Sequence, residues 1–350
     1  MMKSKHYIAT PPGVTIKEML SDRGMTQKEF AERMGMSEKH ISKLINGEAQ
    51  LTIKTANKLE MVLGAPAHFW NNLEAIYREK LEKVNEENSM EAEAEIAQLF
   101  PYNEMVANKW VSPARSVREK IIELRKFFEI TNLKMLNNEA LLPKIAYRRL
   151  GNSKKAIYAS YALAQAARIQ ARNYTTSPLN HKRIKDSIPQ IREMTTTPPE
   201  DFCNRLTDIL ASCGIAIIFL PHLKNSYLHG ATFIDNSKVV LGITVRGKDA
   251  DRFWFSLFHE LGHIVLGHLE TDNITDAEED AADLFARECL IPSEQFDKFV
   301  SSGRIDKKTI MQFADDIGID AGIIVGRLQT EKRISFKSFN DLKTKYEFVL

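Results

Sequence analysis

Residues 253–263 read Phe253-Trp254-Phe255-Ser256-Leu257-Phe258-His259-Glu260-Leu261-Gly262-His263, an apolar run that contains the pattern His-Glu-x-x-His. On a helix, His259 and His263 lie on one face, one turn apart, so both imidazoles can reach one metal ion. Glu260 points about a quarter-turn aside, where its carboxylate can take a proton from water. Surface histidines on an amphipathic helix would give the same pattern, so the surrounding sequence has to decide between the two.

The sequence after this helix offers a third ligand. A zinc ion bound by two histidines needs one more protein ligand and an open position. The run from His263 to His268 has neither a glycine nor a histidine where His-Glu-x-x-His-x-x-Gly-x-x-His requires them, which excludes a three-histidine site. Further on, Glu279 and Asp283 lie four residues apart on the face of another helix. We predict Glu279 as the third ligand and Asp283 as the acceptor that orients an imidazole, with Glu278 as the alternative ligand.

The sequence around the motif predicts a small sheet packed against helices. Residues 200–212 have the spacing of an amphipathic helix, and residues 215–220 (Ile-Ala-Ile-Ile-Phe-Leu) form an apolar run typical of a buried strand. Residues 228–234 and 239–244 predict two strands joined by a turn.

The N-terminal segment predicts two short helices joined by a tight turn. Thr26 followed by Glu29 indicates a capping box at the start of the first helix, and Gly35 supplies the turn. Ser37 then caps a second helix that ends before Asn46-Gly47. Two helices connected in this way are typical of a helix-turn-helix. The side chains expected to face outward from the second helix are Glu38, Lys39, His40, Ser42 and Lys43.

Composition places the chain among ordinary globular proteins. Its 350 residues are 43% hydrophobic and 27% charged, which suits two or three domains. No apolar run approaches the roughly 20 residues of a membrane span, and the start lacks a signal-peptide core. The three cysteines suit a reducing compartment. We therefore expect a cytoplasmic protein that does not span a membrane.

Charge is segregated along the chain, although the formal net charge is only +2. One acid, Asp186, stands among the ten basic residues of the stretch 148–192: Arg148, Arg149, Lys154, Lys155, Arg168, Arg172, Lys182, Arg183, Lys185 and Arg192. Seven acids without a Lys or Arg follow later: Glu270, Asp272, Asp276, Glu278, Glu279, Asp280 and Asp283. The basic stretch fits either a solvated helix face or a surface for nucleic acid or an acidic protein.

Residues 25–79 resemble the Xre/Cro-C1-type DNA-binding domain, and in particular its HigA-like antitoxin branch. The branch-specific features are the Asn46-Gly47 turn, the helix start at Leu51-Thr52 and the run Phe69-Trp70-Asn71-Asn72-Leu73. The resemblance implies operator DNA binding as a homodimer. Phosphate contacts are expected from Gln27, Lys28, Lys39 and Lys43, and base contacts from His40 and Ser42.

Residues 243–256, 252–268 and 278–292 together resemble the ImmA/IrrE family of metallopeptidase domains. The family pattern is His-Glu-Leu-Gly-His followed by Glu-x-x-Ala-Asn-x-Phe-Ala-x-x-Leu-x-x-Pro, and residues 259–263 and 279–292 of this chain correspond to it. The resemblance implies that His259, His263 and Glu279 bind Zn²⁺ and that Glu260 is the general base. Asp283 departs from the asparagine usual in the family, but a carboxylate orients a histidine at least as well. His229 and His268 are candidates to stabilise an oxyanion, and Arg327 is expected to face outward.

The predicted fold is mainly α with a small β-sheet (α+β). Residues 1–80 are expected to form the helix-turn-helix bundle, 81–198 a helical connector module, 199–335 a zincin-like metallopeptidase domain and 336–350 a tail.

The sequence leaves two functions open. The first is a DNA-binding regulator with a fused zinc endopeptidase that acts on a regulatory or toxin–antitoxin partner protein. The second is an antitoxin-like repressor whose C-terminal domain binds metal, ligand or toxin without cutting.

Overall fold

The computed structural model describes residues 2–137, 153–224, 226, 230–244, 248–270 and 274–347. The chain forms two compact units, Met1–Glu95 and Ile96–Leu350. The strands are β1 Met2–Lys3, β2 Ile8–Ala9, β3 Ile215–Leu220, β4 Gly230–Asp235 and β5 Lys238–Thr244. The helices are α1 Gly13–Asp22, α2 Gln27–Met34, α3 Glu38–Asn46, α4 Ile53–Leu63, α5 Ala67–Ala97, α6 Tyr102–Ala107, α7 Val117–Phe128, α8 Lys154–Ala171, α9 His181–Glu193, α10 Pro199–Ser212, α11 Ala250–Val265, α12 Asp276–Leu290, α13 Ser293–Ser301, α14 Lys307–Ile317 and α15 Ala321–Thr330. Mainly α structure with small sheets was predicted, and it is confirmed.

The first unit contains the predicted helix pair α2–α3. The hydroxyl of Thr26 accepts a hydrogen bond from the Glu29 amide at 3.1 Å, and Ser37 caps α3 in the same way. Gly35 ends α2 with φ of 58°, the left-handed conformation that glycine adopts most easily. The capping box is only half formed, because the Glu29 carboxylate accepts a hydrogen bond from Arg33 at 2.7 Å.

The first unit extends beyond the predicted boundary at residue 80. Helix α5 runs without a break from Ala67 to Ala97, since this stretch lacks proline and glycine. Its buried Trp70 joins the core formed by α1–α4, where Phe30, Ile41 and Leu59 also pack. The start of the chain, which has no predicted structure, forms a two-residue antiparallel ladder between β1 and β2.

The second unit is built around a three-stranded sheet of order β3-β5-β4. Strand β5 pairs parallel with β3 and antiparallel with β4, with Val239 opposite Ile215 and Ile234. One face packs on α10 and α11 through alternate residues such as Leu241 and Ile243. Gly242 points to the other face, where a Cβ at this position would lie 3.1 Å from Ala167 of α8. The sheet is therefore covered by helices on both faces.

Helix α8 belongs to the stretch predicted as a connector, yet it packs against β3 and β5. Twelve of its residues, from Ala156 to Ala171, are buried, which suits a helix between a sheet and other helices. The predicted boundary near residue 198 falls inside the second compact unit.

Four arginines of the basic stretch make contacts within the second unit. Arg172 forms an ion pair with Glu129 at 2.5 Å, and Arg168 pairs with Asp235 at 3.5 Å. The guanidinium groups of Arg183 and Arg192 donate to backbone carbonyls of Ser212 and Leu290. Arg148 and Arg149 lie outside the described residues. These contacts favour a structural role for these four arginines.

The segment 336–350, predicted only as a tail, contributes to the core as far as the structure describes it. Tyr346 is buried, and its hydroxyl accepts a hydrogen bond from the buried Trp254 indole at 2.9 Å. Lys343 donates to the carboxylate of Asp251 at 2.7 Å, and both side chains are buried. This segment therefore fixes the N-terminal half of α11.

Among the described residues, no helix combines the length and the apolar character needed to cross a membrane.

Replacing Tyr346 with Phe should lower the free energy of unfolding by about 1–3 kcal/mol, because the buried indole N–H of Trp254 loses its acceptor. Urea unfolding followed by tryptophan fluorescence measures the change. Tyr174→Phe, at a partly exposed tyrosine, is the matched control and should change stability by less than about 0.5 kcal/mol. Equal effects of the two substitutions would contradict a core role for the C-terminal segment.

Candidate metal centre

Helix α11 brings together the two histidines that its sequence predicts on one face. The Nε2 atoms of His259 and His263 lie 3.0 Å apart, and the ring centroids are separated by 4.7 Å. Both nitrogens thus point to the same place, as two ligands of one ion require. Phe258 and Leu261 of the same helix are fully buried, which anchors the histidines in the core.

Helix α12 supplies a carboxylate to the same place. Glu279 Oε2 lies 3.6 Å from His259 Nε2, and Glu279 Oε1 lies 3.7 Å from His263 Nε2. The alternative ligand, Glu278, is engaged elsewhere, because its carboxylate accepts hydrogen bonds from the amide and hydroxyl of Thr275 in a capping box. The local start of α12 therefore fixes which of two neighbouring glutamates faces the histidines.

Gly262 allows α12 to approach α11 closely. A Cβ at this position would lie 3.1 Å from the Phe285 ring and 3.2 Å from the Ala282 backbone. Even an alanine here would be more crowded than an ordinary contact, so α12 or the Phe285 ring would have to shift by a few tenths of an ångström. Gly262 therefore permits the close approach of α12 to α11.

The three side chains fit a divalent metal ion. One ligand atom from each of His259, His263 and Glu279 lies within 4.8 Å of the others. They are only 7%, 3% and 9% exposed, and two imidazoles with one carboxylate are a donor set that zinc prefers. A carboxylate buried this deeply beside imidazoles is readily explained by a bound cation.

The other ring nitrogen of each histidine, Nδ1, also lies within hydrogen-bond distance of a polar side chain. His259 Nδ1 lies 2.7 Å from Asp283 Oδ1, the contact predicted for Asp283. Burial by itself lowers the pKa of His259, but the hydrogen bond to Asp283 and the negative charges of Glu260, Asp283 and Glu279 raise it above its ordinary value.

His263 Nδ1 lies 3.0 Å from Nδ1 of His268. His268, predicted as an oxyanion candidate, therefore lies on the side of the His263 ring that is remote from Glu279. His229, the other oxyanion candidate, lies outside the described residues.

Strand β4 holds the carboxylate of Glu260. The hydroxyl of Thr232 donates a hydrogen bond to Glu260 Oε2 at 2.5 Å. Gly230 leaves room for the same side chain, since a Cβ there would lie 2.6 Å from Glu260 Cγ and Oε1. Neither residue could be predicted from the sequence, because no pattern connects a strand residue with a helix about 30 positions later.

A cavity of about 610 Å³ opens beside the three ligands. Its walls come from β4, α11, α12, α15 and the C-terminal segment, which adds Phe336 and Lys343. Arg327 of α15 also lines it but does not face outward as predicted. Its guanidinium lies 4.0 Å from the Phe296 ring centroid and donates to the Ile291 carbonyl at 2.5 Å. The cavity is large enough for several residues of an extended peptide.

In the first unit, most of the predicted DNA contacts are accessible. Gln27 and Lys28 are exposed at the start of α2. Lys39, His40 and Lys43 are exposed on α3, and Ser42 is half-buried. The three apolar residues of α3, Ile41, Leu44 and Ile45, are buried, which turns the polar side chains outward.

Two family models match the chain, one within each unit. Residues 16–70 match the helix-turn-helix family, and residues 211–329 match the family described as the IrrE N-terminal-like domain. The second match contains the two histidines, Glu260, Glu279 and Asp283. No curated protein matches the chain.

Substitution of Glu279 by Gln should weaken zinc binding by more than about 100-fold. Loss of a residue that only hydrogen-bonds to a metal ligand costs roughly 10–100-fold in affinity, and here the charged ligand itself is removed. Competition with a chromophoric chelator measures the affinity. Glu278→Gln is the matched control, because this neighbouring carboxylate caps α12, and it should bind zinc nearly as wild type does. Weaker zinc binding by Glu278→Gln than by Glu279→Gln would reverse the ligand assignment.

Proposed function

Because the chain joins a helix-turn-helix domain to an IrrE N-terminal-like domain, we propose that it is a DNA-binding transcriptional regulator with a fused zinc-dependent endopeptidase. Its substrate is a regulatory protein or a toxin–antitoxin partner, and it acts in the cytoplasm, where operator DNA is accessible. The proposed peptidase activity is supported by one observation above all. His259, His263 and Glu279 converge beside Glu260 in a cavity large enough for a peptide.

Each residue at the site would have a separate role in peptide hydrolysis. His259, His263 and Glu279 would hold a zinc ion, which would supply a Lewis acid to polarise the peptide carbonyl and would make water more acidic. Glu260 takes the proton from the attacking water and delivers it to the departing amine nitrogen. The Thr232 hydroxyl holds the Glu260 carboxylate on the cavity side of α11, so the base is oriented before substrate arrives.

The DNA-binding half rests on the exposed face of α3. In a helix-turn-helix, the second helix lies in the major groove and the first crosses the DNA backbone. The side chains of Lys39, Lys43, Lys28 and Gln27 would contact phosphates, and those of His40 and Ser42 would contact base edges. Exposed apolar side chains on α4 and α5 support a homodimer, since a partner copy would cover them: Ile53, Met61, Phe69 and Ile76.

A second candidate function keeps the same DNA-binding half but no proteolysis. In this case the protein is a HigA-like antitoxin and repressor, and its C-terminal unit binds metal, ligand or toxin. The run Phe69-Trp70-Asn71-Asn72-Leu73, in which Trp70 is buried in the first unit's core, favours this subtype. The two functions differ in whether Glu260 is used as a base.

Glu260→Gln should slow cleavage of the substrate at least about 100-fold, because general base catalysis contributes about 10²–10⁴-fold to such reactions. The assay incubates zinc-loaded protein with purified proteins encoded by the neighbouring genes and follows their fragments by mass spectrometry. Zinc affinity of the variant should stay near that of wild type, and Glu278→Gln should still cut. If wild type cuts none of these proteins, or Glu260→Gln cuts equally well, the peptidase proposal is wrong and the antitoxin function is favoured.

Joint replacement of Lys39, His40 and Lys43 by Ala should weaken binding to the DNA upstream of the chain's own gene. The plot of log affinity against log salt concentration should also lose about two units of slope, one per lysine that contacts phosphate. Gel-shift titrations at several salt concentrations give both quantities. The control is Lys154→Ala with Lys155→Ala, two exposed lysines on α8. Unchanged binding by the α3 variant would refute α3 as the recognition helix.

A further inference from the structure

His268 stands directly behind one of the proposed zinc ligands. Its Nδ1 lies 3.0 Å from Nδ1 of His263, and the two ring centroids are 5.1 Å apart. Both histidines are buried, so water does not readily replace this contact. The proposed steps of peptide hydrolysis do not involve His268.

The backbone is shaped to bring the two rings together. On a continued α-helix, residue 268 would lie about 140° around the axis from His263 and could not reach its ring. Helix α11 instead ends at Val265, and Gly267 has φ of 78°, a left-handed conformation. This turn folds the segment His268–Glu270 back, so that His268 meets the side of His263 remote from Glu279.

The positions of the protons follow from the geometry. His263 Nε2 faces His259 and Glu279, so this nitrogen offers its lone pair to a metal ion. A neutral imidazole that binds zinc through Nε2 carries its proton on Nδ1, which would donate to Nδ1 of His268. His268 must accept with that nitrogen, so its own proton is on Nε2. A single hydrogen bond thereby fixes the tautomer of both rings.

His268 and Asp283 make equivalent contacts with the two proposed histidine ligands. Asp283 accepts from His259 Nδ1 at 2.7 Å, and His268 accepts from His263 Nδ1 at 3.0 Å. His268 is not itself in the ligand group of His259, His263 and Glu279. An alternative is that His268 only fills space in the core, in which case removing its acceptor would leave metal affinity unchanged.

We propose that His268 is a positioning residue of the metal centre, which orients His263 and holds it in the tautomer that binds zinc. This inference rests on the proposed zinc site but not on peptidase activity.

His268→Leu should weaken zinc affinity about 10–100-fold, the usual effect of losing the group that orients a ligating histidine. His268→Gln should recover most of this loss, since its amide oxygen can accept from His263 Nδ1. Chelator competition measures zinc affinity, and the visible absorption of the Co²⁺-loaded protein reports the ligand geometry. The melting temperature of the metal-free protein separates a change in folding from a change in metal binding. His68→Leu, at an exposed histidine of the first unit, is the matched control.

Equal zinc affinity of wild type and His268→Leu would overturn this inference alone. Failure of wild type to bind zinc would overturn the metal site and this inference together. Failure to detect proteolysis would affect only the peptidase proposal.

A measurement on the unaltered protein covers the case in which His268→Leu does not fold. Nitrogen-15 NMR of the histidine rings in the zinc-loaded protein distinguishes the two tautomers of each imidazole. We expect a proton on Nδ1 of His263 and on Nε2 of His268. A proton on Nδ1 of His268 would overturn the inference, since that nitrogen could not then accept.

Discussion

The close contact between α11 and α12 is the constraint on which the metal centre depends. Two imidazoles on α11 can share an ion only if a carboxylate from another element comes within a few ångströms, and Gly262 leaves the space for it. The capping box at Thr275 then sets the rotation of α12, so that Glu279 faces inward and Glu278 does not. Backbone packing, and not the identity of the acidic residue alone, selects the third ligand.

Helix α11 serves both the site and the core of its unit. Its N-terminal half carries Trp254 and Asp251, which bond to Tyr346 and Lys343 of the C-terminal segment. Its C-terminal half carries the histidines and Glu260. A helix held at one end by buried polar contacts and along its side by α12 has little freedom to move. The three candidate ligands are therefore already held together in the folded chain, which would reduce the free energy needed to order them on binding a metal ion.

Helical periodicity explains what could be predicted about the site. Residues three or four apart share a helix face, so His259 with His263, and Glu279 with Asp283, could be paired without a structure. Caps and turns are similarly local, which is why Thr26, Gly35 and Ser37 were placed correctly. Composition was a weaker guide: the basic stretch fitted either a solvated helix face or a binding surface, and the structure shows that Arg168, Arg172, Arg183 and Arg192 make contacts inside their own unit.

The sequence by itself determined the characters of the two units, the candidate metal ligands and the candidate base, because each depends on residues close together in the chain or on a helix face. Tertiary structure decided the rest. Thr232 meets Glu260 across the β4–α11 contact, and His268 meets His263 only because the chain turns back at Gly267. Tyr346 reaches Trp254 from 92 residues away. Contacts of this kind leave no periodic pattern in the sequence, since the intervening chain sets their geometry.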